Sequence, residues 1–151
     1  MDLSQKKISY KLLNKNSGKS EMITSDTVSK FLFQHLDQYG DEIEDIQNAI
    51  NYVFEEKGGH ILIQFVGDQI SGVVVINETG MSGYIPENIL VYIAVDLNFR
   101  GMGLGKKLME NSIKVCKGDI ALHVEKDNPA KHLYENLGFT NPYLEMRLKR
   151  I

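Results

Sequence analysis

The run ILVYIAV, Ile89 to Val95, narrows the fold more than any other stretch of this chain. Seven apolar residues rich in β-branched types, too short for a buried helix, read as a strand covered on both faces. Behind it comes RGMGLGKKLM, Arg100 to Met109, with glycine at 101, 103 and 105. Leu108, Met109, Ile113 and Cys116 then recur at helical spacing, so a helix runs to about Lys117, and DIALHVE, Asp119 to Glu125, is a further strand. A helix between two buried strands is a βαβ unit, whose strands lie parallel and whose crossover is right-handed.

The remaining pattern places other elements around this unit. Ile8 to Leu13 reads as a strand closed by Asn14, Asn16, Ser17 and Gly18. From Ser25 the period changes: Val28, Phe31, Leu32 and Leu36 predict a helix that Tyr39-Gly40 ends. Ile43, Ile46, Ala49, Ile50 and Val53 predict a second helix stopped by Gly58-Gly59. HILIQFV and ISGVVVI follow as strands joined by the tight turn Gly67-Asp68. Near the end, Asn128 as cap, Pro129 in the first turn and Gly138 as left-handed exit bracket a last helix, and Phe139 to Leu148 reads as one or two final strands. With no repeat and no linker, residues 1–151 are expected to form a single mixed α/β domain.

Three glycines at a helix start need a reason, since glycine inside a helix costs about 1 kcal/mol relative to alanine. A helix N-terminus presents unpaired N–H groups and partial positive charge, and bare glycines let a phosphate approach them. A packing turn that only relieves crowding is the plain alternative. Two nucleotide signatures fail on spacing: the P-loop needs Gly-Lys-Ser/Thr, and Gly101, Gly103 and Gly105 form G-x-G-x-G, where the dinucleotide fingerprint is G-x-G-x-x-G. Glu125, at the end of the next strand, is where a ribose-binding acid would sit, but fewer than fifty residues follow Gly105, too few for a doubly wound sheet. The net charge of −3 argues against nucleic acid or an anionic membrane as partner. One cysteine excludes an internal disulfide, the four histidines show no metal-ligand spacing, and no apolar run spans a bilayer. The opening MDLSQKK lacks the apolar stretch of a secretory leader, so a cytoplasmic location is expected.

Arg100-Gly101-Met102-Gly103-Leu104-Gly105 resembles the [Q/R]-x-x-G-x-[G/A] signature of the GNAT superfamily of N-acetyltransferases, and LYENLGF, Leu133 to Phe139, resembles the LYEKLGF element that closes that family's acyl-CoA site. The order of elements is similar over nearly the whole chain. The resemblance implies a mixed, mostly antiparallel twisted sheet flanked by helices, with a central parallel pair, Leu90–Asp96 and Ile120–Glu125, splayed apart. It implies acetyl-CoA as acyl donor and no metal. Backbone groups of Ile93, Ala94 and Val95 would pair with the pantetheine arm, a form of strand addition, and Arg100 with the amides of Gly101, Met102, Gly103, Leu104, Gly105 and Lys106 would hold the pyrophosphate. Lys106 and Lys107 either add charge there or are simply solvated. Asn128 is a cap and, by the resemblance, a cofactor contact, although it lies six residues before Tyr134 where the family has seven, and the family's common proline after IAVD is Leu97 here.

Acetyl transfer to an amine needs a neutral nucleophile, a stabilised oxyanion and protonation of the leaving thiolate. Tyr134 resembles the family's general acid; its plain reading is an aromatic beside Ala130, Leu133 and Leu137. The oxyanion donor is expected to be an N–H near Val95 freed by a strand bulge. His123 aligns with the position of a catalytic base, and the ordinary histidine pKa of about 6.5 suits that work; ordered water, Glu125 and Glu87 are the alternatives. Cys116 has no role and packs as an apolar residue. The acceptor, a small-molecule or peptide amine, would meet the acidic segment Asp37–Asp45 and the loop Glu78–Asn88, with Tyr84 and Met81 as a lid. Monomer and homodimer both fit. Two other readings stay open: a CoA-binding module without turnover and a small nicotinamide-dependent oxidoreductase.

Overall fold

The computed structural model of the chain describes residues 6–150. The opening segment read above for a leader falls largely within residues 1–5, outside the described residues. Five strands and four helices follow in the order β1 (Ile8–Leu13), α1 (Ser25–His35), α2 (Ile43–Val53), β2 (Gly59–Val66), β3 (Gln69–Glu78), β4 (Asn88–Val95), α3 (Leu104–Val115), β5 (Ile120–Leu122) and α4 (Ala130–Asn136), with 3-10 turns at Asp37–Tyr39 and Leu97–Phe99. Up to α4 the strands and helices are those that hydrophobic periodicity predicts, because each of them buries at least one apolar face.

The strands form one sheet in the order β1-β2-β3-β4-β5, antiparallel except for the parallel pair β4–β5. A meander of this kind is not a doubly wound sheet, so the nicotinamide reading falls. Odd-numbered residues Ile61, Ile63, Val73 and Val75 pack under α1 and α2 with Val28, Leu32, Ile46, Ile50 and Val53. Even-numbered Leu62, Val74 and Ile76 meet Leu108, Met109 and Tyr134 of α3 and α4. A strand buried on both faces reads as an unbroken apolar run, and β2 to β4 do.

Register slips once in β4: Val75 pairs with Tyr92 but Ile76 pairs with Leu90, leaving Val91 as a bulge. The extra residue exchanges the two faces. Leu90 faces α3 and α4, whereas Tyr92 and Ala94 face α1 and α2.

Four expectations need correction. The bulge lies at Val91, four residues before the expected place near Val95, and pairing there continues unbroken as Gly72 with Val95. β5 ends at Leu122 instead of Glu125, because its ladder stops opposite Leu90, where the bulge bends β4 away. No strand forms between Phe139 and Leu148; that stretch is irregular and exposed from Thr140 onward. Its alternating pattern is right for a strand, but a strand needs a partner and the fold brings none alongside. As a result the parallel pair stands at one end of the described sheet, not at its centre.

Candidate active site

β4 and β5 are joined over only three residue pairs, Asn88–Ile120, Ile89–Ala121 and Leu90–Leu122. This closed end is clamped by Asn88, 2% exposed, whose Nδ2 donates to the carbonyls of Lys117 (2.7 Å) and Asp119 (3.2 Å). Beyond Leu90 the strands part, and among the described residues β4 has no neighbour on that side. The Asp96 N–H donates to Ser71 O at 2.8 Å, which makes Ser71–Asp96 and Val73–Ala94 the hydrogen-bonded pairs of the β3–β4 ladder. By alternation, the main-chain groups of Ile93 and Val95 face the open side and those of Ala94 face β3. Of the three residues expected to meet a cofactor, Ala94 is therefore spoken for.

At the top of the open edge lies the glycine loop. Gly101 and Gly103 both have φ of 78°, a left-handed conformation that side chains resist, and a Cβ added to either would meet nothing within 4 Å. Gly105 is an ordinary helical residue whose added Cβ would touch Val95 and Leu133 at van der Waals distance. Gly103 caps α3 with its carbonyl accepting from Lys107 N at 3.3 Å, so the N–H groups of Leu104, Gly105 and Lys106 are the unpaired first-turn donors. Phe99 and Leu104 anchor the loop against Val66. Val95, Phe99, Arg100, Gly101, Gly103, Leu104 and Gly105 line a depression of about 230 Å³.

Arg100 is committed elsewhere. Its Nε donates to Val95 O (3.0 Å), Nη1 to Asp37 Oδ2 (2.9 Å) and Nη2 to His35 O (2.6 Å). The guanidinium thus ties the end of α1 to the tip of β4 and occupies the Val95 carbonyl, one of the groups expected to be free. Beside it, His35 Nδ1 accepts the Leu97 N–H at 3.3 Å, which places the ring proton on Nε2, 3.5 Å from Asp96.

Asp37 starts a strap over the open side. It sits at φ 55°, the one non-glycine residue described with positive φ, a conformation normally costing about 1–2 kcal/mol. The Tyr39 hydroxyl donates to Asp127 O (3.3 Å) beyond β5, and the Tyr92 hydroxyl on β4 donates to Asp41 Oδ2 (2.6 Å). Desolvation, with Asp41 and Asp45 nearby, holds the Tyr92 phenol well above its usual range. Asp37, Tyr39 and Asp41 therefore reach three different walls of the fork. Sequence reasoning found the acidic segment but missed Tyr39 and Tyr92; the signal was a tyrosine inside an otherwise aliphatic strand. The loop carrying Met81 and Tyr84 enters β4 at the clamped end, away from the glycines, with Tyr84 82% exposed. Glu87 is at that end too, its Oε1 accepting Asp119 N at 3.4 Å.

Tyr134, 7% exposed, projects from α4 into the cluster that includes Leu90 and Ile93, with Phe139 edge-on at 6.0 Å. Burial pushes its phenol up to about 12. Among the described residues no hydrogen bond involves its hydroxyl. His123 is exposed, one residue past β5. Val124 shares the Tyr134 cluster, so His123 and Glu125 flank it toward the other face. Asn128 Oδ1 accepts the Ala130 N–H at 2.9 Å, the capping role expected of it. Cys116 is half-buried, its thiol raised to about 11 by desolvation.

A third residue that the sequence did not single out supports the loop. Gln64, wholly buried, donates through Nε2 to Leu104 O (3.1 Å) and the Tyr10 hydroxyl (3.1 Å) and accepts from Ser71 Oγ (2.8 Å). Gln64 pairs with Gly72 and Phe65 with Ile70, so Ser71 is itself a bulged residue. Gly72 leaves the room this needs: an added Cβ would lie 2.8 Å from Leu108 and 3.2 Å from Ala94 O. Among the described residues no group of three or more His, Cys, Asp or Glu side chains is placed to hold a metal ion, and no helix is long and apolar enough to cross a membrane.

Comparison with known proteins bears on this arrangement. Residues 21–139 match the family model described as the acetyltransferase (GNAT) family. A 57-residue stretch is 40% identical to the 5-NmdU N-acetyltransferase of Pseudomonas phage PaMx11; it covers 36% of this chain and 41% of that relative, so the match spans under half of the phage protein's length. Among solved structures, "a possible acetyltransferase from Clostridium difficile 630" superposes with a TM-score of 0.66 at 20% identity, covering 95% of this chain and 97% of the other. An aminoglycoside N-acetyltransferase in complex with CoA gives 0.67 at 14% identity, with 99% of each chain covered. The ribosomal-protein-S18-alanine N-acetyltransferase of Escherichia coli gives 0.64 at 17% identity, covering 87% and 78%.

Proposed function

We propose, on the premise that the chain belongs to the acetyltransferase (GNAT) family, that it moves an acetyl group from acetyl-CoA directly to a primary amine, with residues 1–151 acting as one catalytic domain. The observation that carries this reading is the fork itself: an open β4 edge presenting Ile93 and Val95, leading up to a glycine-capped helix with free N–H donors.

The residues present fit the donor. A cradle in which Cβ atoms at Gly101 and Gly103 would point into open space, below three unpaired amides, suits a diphosphate. The N–H groups of Gly101 to Lys106 would hold it, and the Ile93 main chain and the Val95 N–H would hold the pantetheine amides. Arg100 contributes indirectly, by fixing the tip of β4. Acetyl-CoA, when bound, supplies an acetyl group activated as a thioester.

With the Ile93 carbonyl and the Val95 N–H on the pantetheine, the Ile93 N–H would be the donor for the oxyanion, left on the open side by the alternation of the ladder and not by a local bulge. Tyr134 gives a proton or hydrogen bond to the departing sulfur. With its phenol near 12 it stays protonated at every physiological pH. Thiols titrate near ~8.5, so full proton transfer from so weak an acid is uphill, and hydrogen bonding to the developing thiolate is its first contribution. The amine loses its proton to His123, which lies on the face away from Tyr134, or to water. Asp41, Tyr92 and Tyr39 form the acceptor's wall. Asn128 holds the α4 turn that presents Tyr134.

The test is thiol release from acetyl-CoA over an amine panel that includes 5-NmdU, the acceptor named for the phage relative. Turnover lost in Tyr134→Phe with acetyl-CoA affinity kept supports the assignment. An unchanged rate removes Tyr134 from it, and acetyl-CoA binding without turnover of any amine makes the protein a CoA-binding module. A bell-shaped pH–rate profile whose acidic limb disappears in His123→Gln selects histidine over water.

A further inference from the structure

Arg100 stands between the two halves of the fork. Its backbone belongs to the turn whose neighbours Phe99 and Gly101 line the depression at the glycine loop. Its side chain reaches the other way, because Nε donates to Val95 O on β4 while Nη1 and Nη2 donate to Asp37 Oδ2 and His35 O, where α1 ends and the strap begins. A planar guanidinium holds such acceptors as one rigid piece, which an ammonium on a flexible stem does not. A second tie runs beside the first. His35 Nδ1 accepts the Leu97 N–H at 3.3 Å, and its Nε2 lies 3.5 Å from Asp96 Oδ2, whose other oxygen accepts the Asn98 N–H at 2.8 Å. Residues 95–100 therefore grip the end of α1 at two points.

Farther along, the strap is held by the Tyr92 hydroxyl on Asp41 and by its own Tyr39 hydroxyl on Asp127 O. Of the three contacts made by Asp37, Tyr39 and Asp41, only that of Asp37 runs to the segment leading into the glycine loop. It is also easily lost. Arg100 and Asp37 are 37% and 54% exposed, and an ion pair so exposed gains little beyond the entropy spent in holding two side chains still. Asp37 sits besides at φ 55°, a disfavoured conformation that persists only where its surroundings hold it. Fixing one end of the pair lowers that entropic cost, so whatever stills Arg100 strengthens its hold on the strap.

We propose that Arg100 is a positioning residue that couples the donor and acceptor sites, an inference that rests on the donor reading of the fork. A CoA thioester on the β4 edge and the glycine loop stills residues 95–101. Arg100 then holds Asp37 and the end of α1 firmly, and the strap with Tyr39 and Asp41 settles as the acceptor's wall. The two states are a docked strap, with the guanidinium bonded to Asp37 and His35 O, and a released one. Donor and acceptor both favour the docked state, so each raises the other's affinity by the same factor. Arg100 acts through Val95 and the strap and not on the reacting atoms.

Hydrogen exchange on the full chain, with and without saturating CoA, tests this through two windows. The first-turn amides of residues 104–106 report the seat of the donor. Residues 36–45, which include the Tyr39 N–H bonded to Leu36 O at 3.1 Å, report the strap. In wild type CoA should slow both, the strap by about five-fold or more, the low end of usual coupling factors. In Arg100→Gln, and in Asp37→Gly, which removes the carboxylate while leaving positive φ open to the backbone, residues 104–106 should still slow and the strap should no longer respond. Tyr92→Phe, which frees Asp41 alone, should keep the response at residues 36–39. Slowing at 104–106 with a silent strap in wild type overturns the coupling and leaves the donor reading standing. A strap response that survives both Arg100→Gln and Asp37→Gly also overturns it, since CoA would then cover the strap directly. No slowing at 104–106 in wild type removes the donor reading and the coupling with it.

Discussion

Replacing Gly103 and, separately, Gly105 with alanine distinguishes a loop that grips a ligand from one that merely turns the chain. The two sites differ in backbone, not in room. Gly103 has φ 78° with open space where a Cβ would be, so Gly103→Ala meets no atom and its cost is conformational. A non-glycine residue in that region costs about 1–2 kcal/mol, which for a domain of this size lowers Tm by roughly 2–8 °C. Gly105 is inside α3 with ordinary contacts at 3.6 and 3.8 Å, so Gly105→Ala gains about 0.5–1 kcal/mol of helix propensity and raises Tm. Binding separates the two further. If the added methyl at position 103 displaces a phosphate oxygen from even one amide, a charge-assisted hydrogen bond of about 1.5–3 kcal/mol is lost, a factor of roughly 10 to 150 in acetyl-CoA affinity. Gly105→Ala leaves affinity within a few-fold. Denaturant melts give the stability arm, and calorimetric titration with acetyl-CoA gives the binding arm. A Gly103→Ala protein with lowered Tm and unchanged affinity would refute the phosphate-cradle argument; a destabilised Gly105→Ala would show that the packing at that site is misjudged.

Three further outcomes follow from single groups. Tyr134→Phe removes a hydroxyl that no described residue bonds, so stability stays within about 1 kcal/mol while kcat falls by roughly 10²–10⁴; equal loss of both would mean a structural role. Gln64→Leu removes the bonds to Leu104 O and the Tyr10 hydroxyl and leaves Ser71 Oγ only the main-chain carbonyl of residue 64, freeing the first turn of α3, so acetyl-CoA KM should rise more than kcat falls, with a stability loss of about 1–3 kcal/mol seen in urea melts. His60, largely buried on β2 with Nδ1 unpartnered, has its pKa lowered, chiefly by desolvation against the opposing pull of Glu78. The unfolded chain therefore binds the proton first: the stabilisation is complete above about pH 6.5 and is lost as pH falls toward the depressed folded value. Urea midpoints at pH 7.5 and 5.5 should differ less in His60→Gln than in wild type, and an equal difference would remove His60 as a cause.

The order of strands and helices, the hairpin at Gly67, the glycine-capped α3 and the capping by Asn128 were legible in the sequence. Each depends on neighbours a few residues apart: period 2, period 3.6, or a glycine whose φ only glycine tolerates. Tertiary structure decided what depends on distant partners. Arg100 could be read as a phosphate ligand until His35 and Asp37, more than sixty residues away, took its guanidinium. The bulge at Val91 follows from register against β3, and it determines which face Tyr92 shares with Asp41. Phe139 to Leu148 has a sound strand pattern and stays unpaired, because a pattern specifies which side of a strand is apolar but not whether another strand lies alongside. Local chemistry settles conformation one turn at a time. Which main-chain groups remain free to act is settled only when the whole sheet has chosen its neighbours.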